Sequence, residues 1–251
     1  MTTQTSSPGG GNWPVIGAWG ALFLLVLAGL CMGLAGPAYR AEWVSLGTSF
    51  AMLKQGAQLA MGAGALGMIT LVISGRFRRW RPALVGLLVG VAVFVMVAVP
   101  MEMKHRAQSV PPIHDITTDL DTPPAFVLLA AAREQAPNEL DYPGAETARQ
   151  QLAAYPDLKQ VTLKLPLAEA MAAAEALVQS RDWELAGMTD STLEATATTR
   201  WFGFRDDVVI RMTETEGGVR VDMRSASRVG KSDLGANAAR IQAFLEDLSK
   251  H

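Results

Sequence analysis

Hydrophobic residues in this chain fall into two regimes, unbroken apolar runs in the first hundred residues and short periodic patterns afterwards. Val15 to Gly36 is uncharged and predominantly apolar over about twenty residues. At a rise of ~1.5 Å per residue this is enough to cross a hydrocarbon core of roughly 30 Å. A second run, Phe50 to Ser74, carries Lys54, Gln55 and Gln58 in its first turns, with the lysine placed to snorkel to the interface. A third, Pro82 to Val99, opens on a proline at a helix start and is expected to close at Pro100. The reading is three transmembrane helices, over about 15–36, 50–74 and 82–99, behind a disordered Thr/Ser/Gly-rich tail of residues 1–14. A cleaved signal peptide is rejected, because no basic residue precedes the first run and two further runs follow it.

Beyond Pro100 the period changes. Residues 101–122, with Pro111-Pro112 and then Pro123-Pro124 behind them, read as a linker and entry segment that crosses the domain surface in extended form, ahead of a soluble domain over 123–251. Glu146 to Tyr155 forms a short helix ended by Pro156, and Leu167 to Ser180 forms an alanine-rich one begun by Pro166. Apolar residues then alternate with mostly polar ones at Leu193–Ala197, Val208–Met212 and Val219–Met223, three strands with one apolar face each. Glu216-Gly217-Gly218 joins the last two as an antiparallel hairpin. Leu234, Ala238, Ile241, Leu245 and Leu248 make an apolar helical stripe, capped by Ser232 or Asp233. Helices flanking an antiparallel sheet with one apolar face give a two-layer α+β domain.

Charge divides the chain in the same place. Six basic residues and one acid precede Met101, whereas sixteen basic and twenty-three acidic residues follow it. The acidic balance of the soluble part argues against nucleic acid as a partner. Four arginines in the Arg76–Arg81 loop, against Arg40 alone in the Tyr39–Gly47 loop, place the former in the cytoplasm. Three crossings then leave the N-terminus cytoplasmic and the soluble domain outside, in the periplasm or its equivalent. Cys31, the one cysteine, lies inside an apolar run behind Leu30, which excludes an internal disulfide and suits a buried membrane residue. Gly62-Ala63-Gly64-Ala65-Leu66-Gly67 matches G-x-G-x-x-G but lies within a membrane run, where small residues let helices approach.

Ile113-His114-Asp115-Ile116-Thr117-Thr118-Asp119, Pro123-Pro124-Ala125-Phe126, Tyr155-Pro156, Phe204-Arg205-Asp206-Asp207-Val208 and above all Asp222 to Asn237 resemble the bacterial domain-of-unknown-function family 1499 (DUF1499). Arg240-Ile241 continues the pattern. The resemblance implies no reaction, substrate or cofactor, and members that carry membrane segments or export signals agree with a bacterial cytoplasmic (inner) membrane location.

Three groups of residues carry candidate chemistry. His114, Asp115, Asp119 and Asp121 offer an imidazole and three carboxylates, but their spacing fits no zinc or calcium loop, and turn hydrogen bonds explain them as well. Asp206 and Asp207 are adjacent in a strand and so point to opposite faces, which keeps them from sharing a proton. Arg224, Ser227, Arg228, Lys231, Ser232, Asp233, Asn237 and Arg240 span a strand end and a helix start, where amides, the dipole and arginines suit a phosphate or carboxylate. The competing reading of this group is structural, with Asp233 capping the helix and pairing with an arginine. The sequence therefore points to a membrane-anchored binding or scaffolding domain for an anionic ligand, a lipid head group or an envelope protein. An envelope hydrolase or transferase is the alternative. No cofactor motif is present, and Lys54, the one charge inside a span, offers little for transport.

Overall fold

A computed structural model of the chain describes residues 11–251. Most of the expected tail therefore lies outside the described residues. The described chain forms two compact units, which divide between Glu102 and Met103.

The first unit contains α1 (Trp13–Arg40), α2 (Leu46–Arg76) and the membrane part of α3 (Trp80–Ser109), three helices long and apolar enough to cross a membrane. All run past the expected ends. Pro37 lies inside α1 and Pro100 inside α3, because a single missing N–H interrupts a long helix only locally. The residues after Pro100, Met101 to Gln108, include no further proline or glycine, so α3 continues to Ser109 and stops before Pro111. Small residues bring the helices together around Ala21, Ala63 and Val89. A Cβ on Gly56 would stand 2.4 Å from Cγ of Met32, and one on Gly86 would stand 2.4 Å from the Gly67 carbonyl oxygen. Gly62, Gly64 and Gly67 are all helical, as expected of a packing motif rather than a nucleotide loop.

The second unit is built on an antiparallel six-stranded sheet. In chain order its elements are β1 (Asp115–Thr117), α4 (Ala130–Glu134), α5 (Ala145–Ala154), β2 (Val161–Leu163), α6 (Leu167–Ser180), β3 (Glu184–Met188), β4 (Thr192–Thr198), β5 (Arg205–Thr215), β6 (Gly218–Ser227) and α7 (Ala236–Leu248). The sheet order is β1-β6-β5-β4-β3, and β2 pairs with β6 on the edge that it shares with β1. The β5–β6 hairpin turns at Glu216-Gly217, with Thr215 opposite Gly218. Within 101–122 the first part is helical rather than extended, and Asp115–Thr117 enters the sheet as β1.

One sheet face holds the apolar core. Leu193, Ala195, Val208, Ile210, Met212, Val221 and Met223 meet Ala170, Met171 and Val178 of α6 and Ile241, Phe244 and Leu248 of α7. Trp183 stacks on Phe244 at 5.5 Å between ring centres. Each fully buried Leu, Ile or Phe there contributes about 1.5–3 kcal/mol. The helices and sheet form the expected two-layer α+β arrangement.

The other face is polar, as the alternation implies, but it is buried. Glu194, Thr196, Asp207, Asp222 and Arg224 alternate with the core residues, yet all five are buried. The segment from Pro123 to Tyr142, including α4, bonds to Glu194, Asp207 and Arg224, and Phe126, Leu129, Val209 and Ala226 form a small apolar cluster there, whereas Asp222 is held by Thr118, Arg211 and Arg220.

Candidate functional site

The β6–α7 connection divides its polar residues by strand parity. Ser225 and Ser227 face α7, where Asn237 is fully buried. Its amide nitrogen donates to the His114 carbonyl at 2.9 Å and Ser227 Oγ at 3.0 Å, while its Oδ1 accepts from Ser225 Oγ at 2.7 Å and from Arg240. Arg240 also pairs with Asp206 at 2.6 Å and donates to Ser225 Oγ at 2.9 Å. Leu234 and Gly235 both have positive φ, 55° and 81°, and this left-handed step delays α7 to Ala236. Asp233 lies before the step but still accepts from the Gly235 and Asn237 amides at 2.9 and 2.7 Å. Burial pushes its carboxyl up, and those amides only partly offset the effect. Ser232 Oγ accepts from the Leu234 amide, and Lys231 is exposed.

Arg224 and Arg228 belong to the opposite face. Arg224 makes two bonds to Asp115, 3.0 and 2.8 Å, and donates to the Pro124 and Leu140 carbonyls. Arg228 makes two to Asp207, 2.9 and 2.8 Å. Asp207 also binds Arg133 at 3.1 Å, and both side chains are fully buried. Guanidinium groups of Arg133 and Arg224 lie 4.7 and 4.8 Å from the centre of the Phe126 ring, within cation–π range. Burial lowers the Arg133 pKa, against the attraction of Asp207 and Asp115. Nearby, burial and then Asp115 push the Tyr142 hydroxyl up to about 12, with Arg224 opposing. Glu194 closes this layer by accepting the amides of Val127, Leu128 and Leu129 at 2.8, 3.0 and 2.9 Å.

The eight residues of the sequence-derived anion site therefore do not line one cavity. Ser227, Asn237 and Arg240 interlock on the helix face, with Asp233 at the helix start, whereas Arg224 and Arg228 are in ion pairs on the far face. The carboxylates facing the arginines are Asp115, Asp206 and Asp207 rather than Asp233. Asp206 and Asp207 point to opposite faces, as strand alternation requires. The acidic group disperses too. Asp115 holds Arg224, and His114 contributes its carbonyl. Asp119 accepts from the Asp121 and Thr122 amides, the Thr122 hydroxyl and Arg211, and Asp121 is exposed. Burial pushes the Asp119 carboxyl up, but the Thr122 and Arg211 donors together bring it below the ordinary aspartate value. Among the described residues, no three His, Cys, Asp or Glu side chains are grouped to hold a metal ion.

A groove of about 900 Å³ lies elsewhere in this unit, between the end of α3, the Ala154–Val161 segment and one side of α7. Ala239, Gln242, Glu246 and Ser249 form the α7 side, and Ala238 and Leu245 belong to both the groove and the core. Val110, Tyr155, Leu158 and Val161 supply apolar surface, whereas Arg106 and Lys159 are exposed on its rim. Burial, and then Asp233, raise the Tyr155 hydroxyl pKa. His114 is not among the lining residues. Sequence reasoning missed the groove because its walls come from three distant segments, one of them expected to be linker.

No curated protein matches the chain. The span from the first residue of β1 to the last of α7, residues 115–248, matches the family described as protein of unknown function DUF1499; it covers more than half of the sequence, and the chain belongs to that family.

Proposed function

We propose that the protein is a multi-pass component of a bacterial cytoplasmic membrane. Its second unit stands on the extracytoplasmic side as a binding module, for an anionic ligand, a lipid head group or a partner protein. The observation that carries the binding reading is the groove, whose volume of about 900 Å³ falls within the range of small-molecule sites, roughly 300–1,000 Å³. Its apolar floor supplies affinity, and charged side chains of both signs, Arg106, Lys159, Asp157 and Glu246, stand among its lining residues. The arginine–aspartate pairs serve the module as a latch that fixes the strand-to-helix crossover and the covering segment.

Orientation is supported by Arg78 and Arg79 in the connection between α2 and α3 and by Arg76 and Arg81 at the helix ends beside it. Alkaline phosphatase fused after Ala107 is expected to be active and, fused after Arg79, inactive; the reverse would place the second unit in the cytoplasm. Native mass spectrometry of the full chain tests binding. A bound mass that Ala239→Trp displaces is expected, and an identical spectrum for both proteins would refute the groove as a binding site.

A further inference from the structure

We infer that the exposed face of α2 around Gln58 pairs with the same face of a second copy of this chain, the two Gln58 carboxamides bonding to each other inside the bilayer. The inference concerns the first unit alone and rests on α2 spanning a membrane.

The first argument is the depth of Gln58. Ser49 Oγ of α2 donates to the Ala35 carbonyl of α1 at 2.6 Å, and a Cβ on Gly56 would stand 3.1 Å from the Ala28 carbonyl oxygen. These two contacts fix the antiparallel alignment of the helices and set Gln58, two residues beyond Gly56, level with Ala28. Ala28 lies eight residues inside Gly36, the end of the first apolar run, and so about 12 Å below it. A glutamine at that depth in a core roughly 30 Å thick is too far from either interface for its short side chain to reach water.

The second argument is that this carboxamide has nothing to bond to within its own unit. Gln55 and Gln58 are both exposed, and among the described residues neither side chain makes a hydrogen bond. Hydrocarbon offers no partner either, so an unpaired amide there is strongly disfavoured. The outward faces of the neighbouring helices are of another kind, with Phe23 and Leu30 exposed on α1 and Leu88 and Phe94 on α3, as lipid contact requires. On α2 the glutamines are followed along the same face by Gly62 and Ala65, also exposed, and a Cβ on Gly62 would meet no neighbour within 4 Å. Small residues beside a polar one are what a close helix–helix contact in a membrane uses.

The third argument selects the occupant. A carboxamide carries donors and an acceptor together and is therefore complementary to itself. Copies in one membrane share one orientation, so a twofold axis along the membrane normal sets α2 beside α2 in parallel and brings Gln58 opposite Gln58 at equal depth. A different protein would have to supply an amide or hydroxyl at that same level, whereas a second copy does so by symmetry. Lys54 lies at the flank of the stripe and nearer the surface, where its longer chain reaches the headgroups, so the pairing does not press two charges together.

The test uses the full chain in phosphatidylcholine–phosphatidylglycerol vesicles at several protein-to-lipid ratios. In a Cys31→Ser background, Ala65→Cys is expected to form a disulfide-linked dimer on oxidation, and Phe94→Cys on α3 is not. Energy transfer between donor- and acceptor-labelled chains measures association. Gln58→Leu should lower the association constant roughly tenfold and Gln58→Asn should retain most of it. Leucine at a lipid-facing position does not hinder folding or insertion, so a loss reports the carboxamide itself. Association of Gln58→Leu equal to wild type, equal cross-linking from both cysteines, or a monomer at every ratio would each overturn the pairing. A different polypeptide that copurifies with the wild type but not with Gln58→Leu, while the chain alone stays monomeric, would overturn the second copy as occupant. Release of the chain from the vesicles by alkaline carbonate would instead overturn the membrane reading on which the pairing rests.

Discussion

Asp207→Ala removes the acceptor shared by two arginines, and the structure sets a scale for the loss. Asp207 binds Arg133 at 3.1 Å and Arg228 at 2.9 and 2.8 Å, and it accepts the Thr196 hydroxyl at 2.8 Å. Arg133 is fully buried, and its Nε already has no hydrogen-bond partner. Without Asp207 its remaining hydrogen bonds go to the Ala226 and Glu139 carbonyls, neither of which carries a charge, and the nearby Asp115 carboxylate is already paired with Arg224. Leaving a buried charge without its counter-ion costs about 3–5 kcal/mol. For a unit of this size that corresponds to a fall in melting temperature of roughly 6–20 °C. Arg228→Ala is the internal control. Its side chain is 14% exposed, and its removal leaves Asp207 paired with Arg133, so the cost should be about 1–3 kcal/mol. Thermal unfolding of both variants of the full chain in nanodiscs, monitored by hydrogen exchange at β5 and β6 amides, measures the difference. If Asp207→Ala costs no more than Arg228→Ala, the charge of Arg133 does not depend on Asp207 and the latch reading fails.

Glu194→Ala should raise amide exchange at Val127, Leu128 and Leu129 by roughly tenfold or more, since hydrogen bonds to a charged acceptor contribute about 1.5–3 kcal/mol; unchanged exchange would show that α4 holds this segment without it. Gly235→Ala should destabilise by about 1–2 kcal/mol, because φ is 81° there and the new Cβ would lie 3.3 Å from the Tyr155 hydroxyl; a melting temperature equal to wild type would refute this. The lowered pKa of Asp119 means that its stabilising contribution is complete above the ordinary aspartate value of about 3.9 and is lost as the pH falls through the lowered folded value. Asp119→Asn should accordingly flatten the acid side of the stability profile, and an unchanged acid slope in melts from pH 6 to pH 2 would contradict it.

What the sequence revealed depended on whether a residue's partner was close to it in the chain. Helix α6 occupies the expected Leu167–Ser180, because its alanine run and leading proline are local signals. The Glu216-Gly217 hairpin likewise turns where expected. Strands β1, β2 and β3 were not foreseen, since segments of three to five residues show too few alternations and owe their conformation to β6 and β4. Alternation gave each strand a largely polar face, with Glu194 and Arg224 on theirs, but could not distinguish a face under water from one under Phe126 and α4. The partner of Arg224 is Asp115, 109 residues away, so no spacing rule connects them. Pro100 misled for the opposite reason, because a strong local signal was overridden by the favourable helix on either side of it.

The side chain of Gln151 gives the sheet a further property. Its carboxamide oxygen takes the Thr117 amide at 3.0 Å, and its nitrogen donates to the Thr117 carbonyl at 2.6 Å. A single carboxamide thus imitates one residue of a neighbouring strand, and it does so on the outer side of β1, where another chain would otherwise add. Growth of the sheet into fibres or swapped dimers is blocked at this point by a side chain contributed from α5. The cap covers β1 alone, so β2 on the same border and β3 on the opposite one are the outer strands it does not protect.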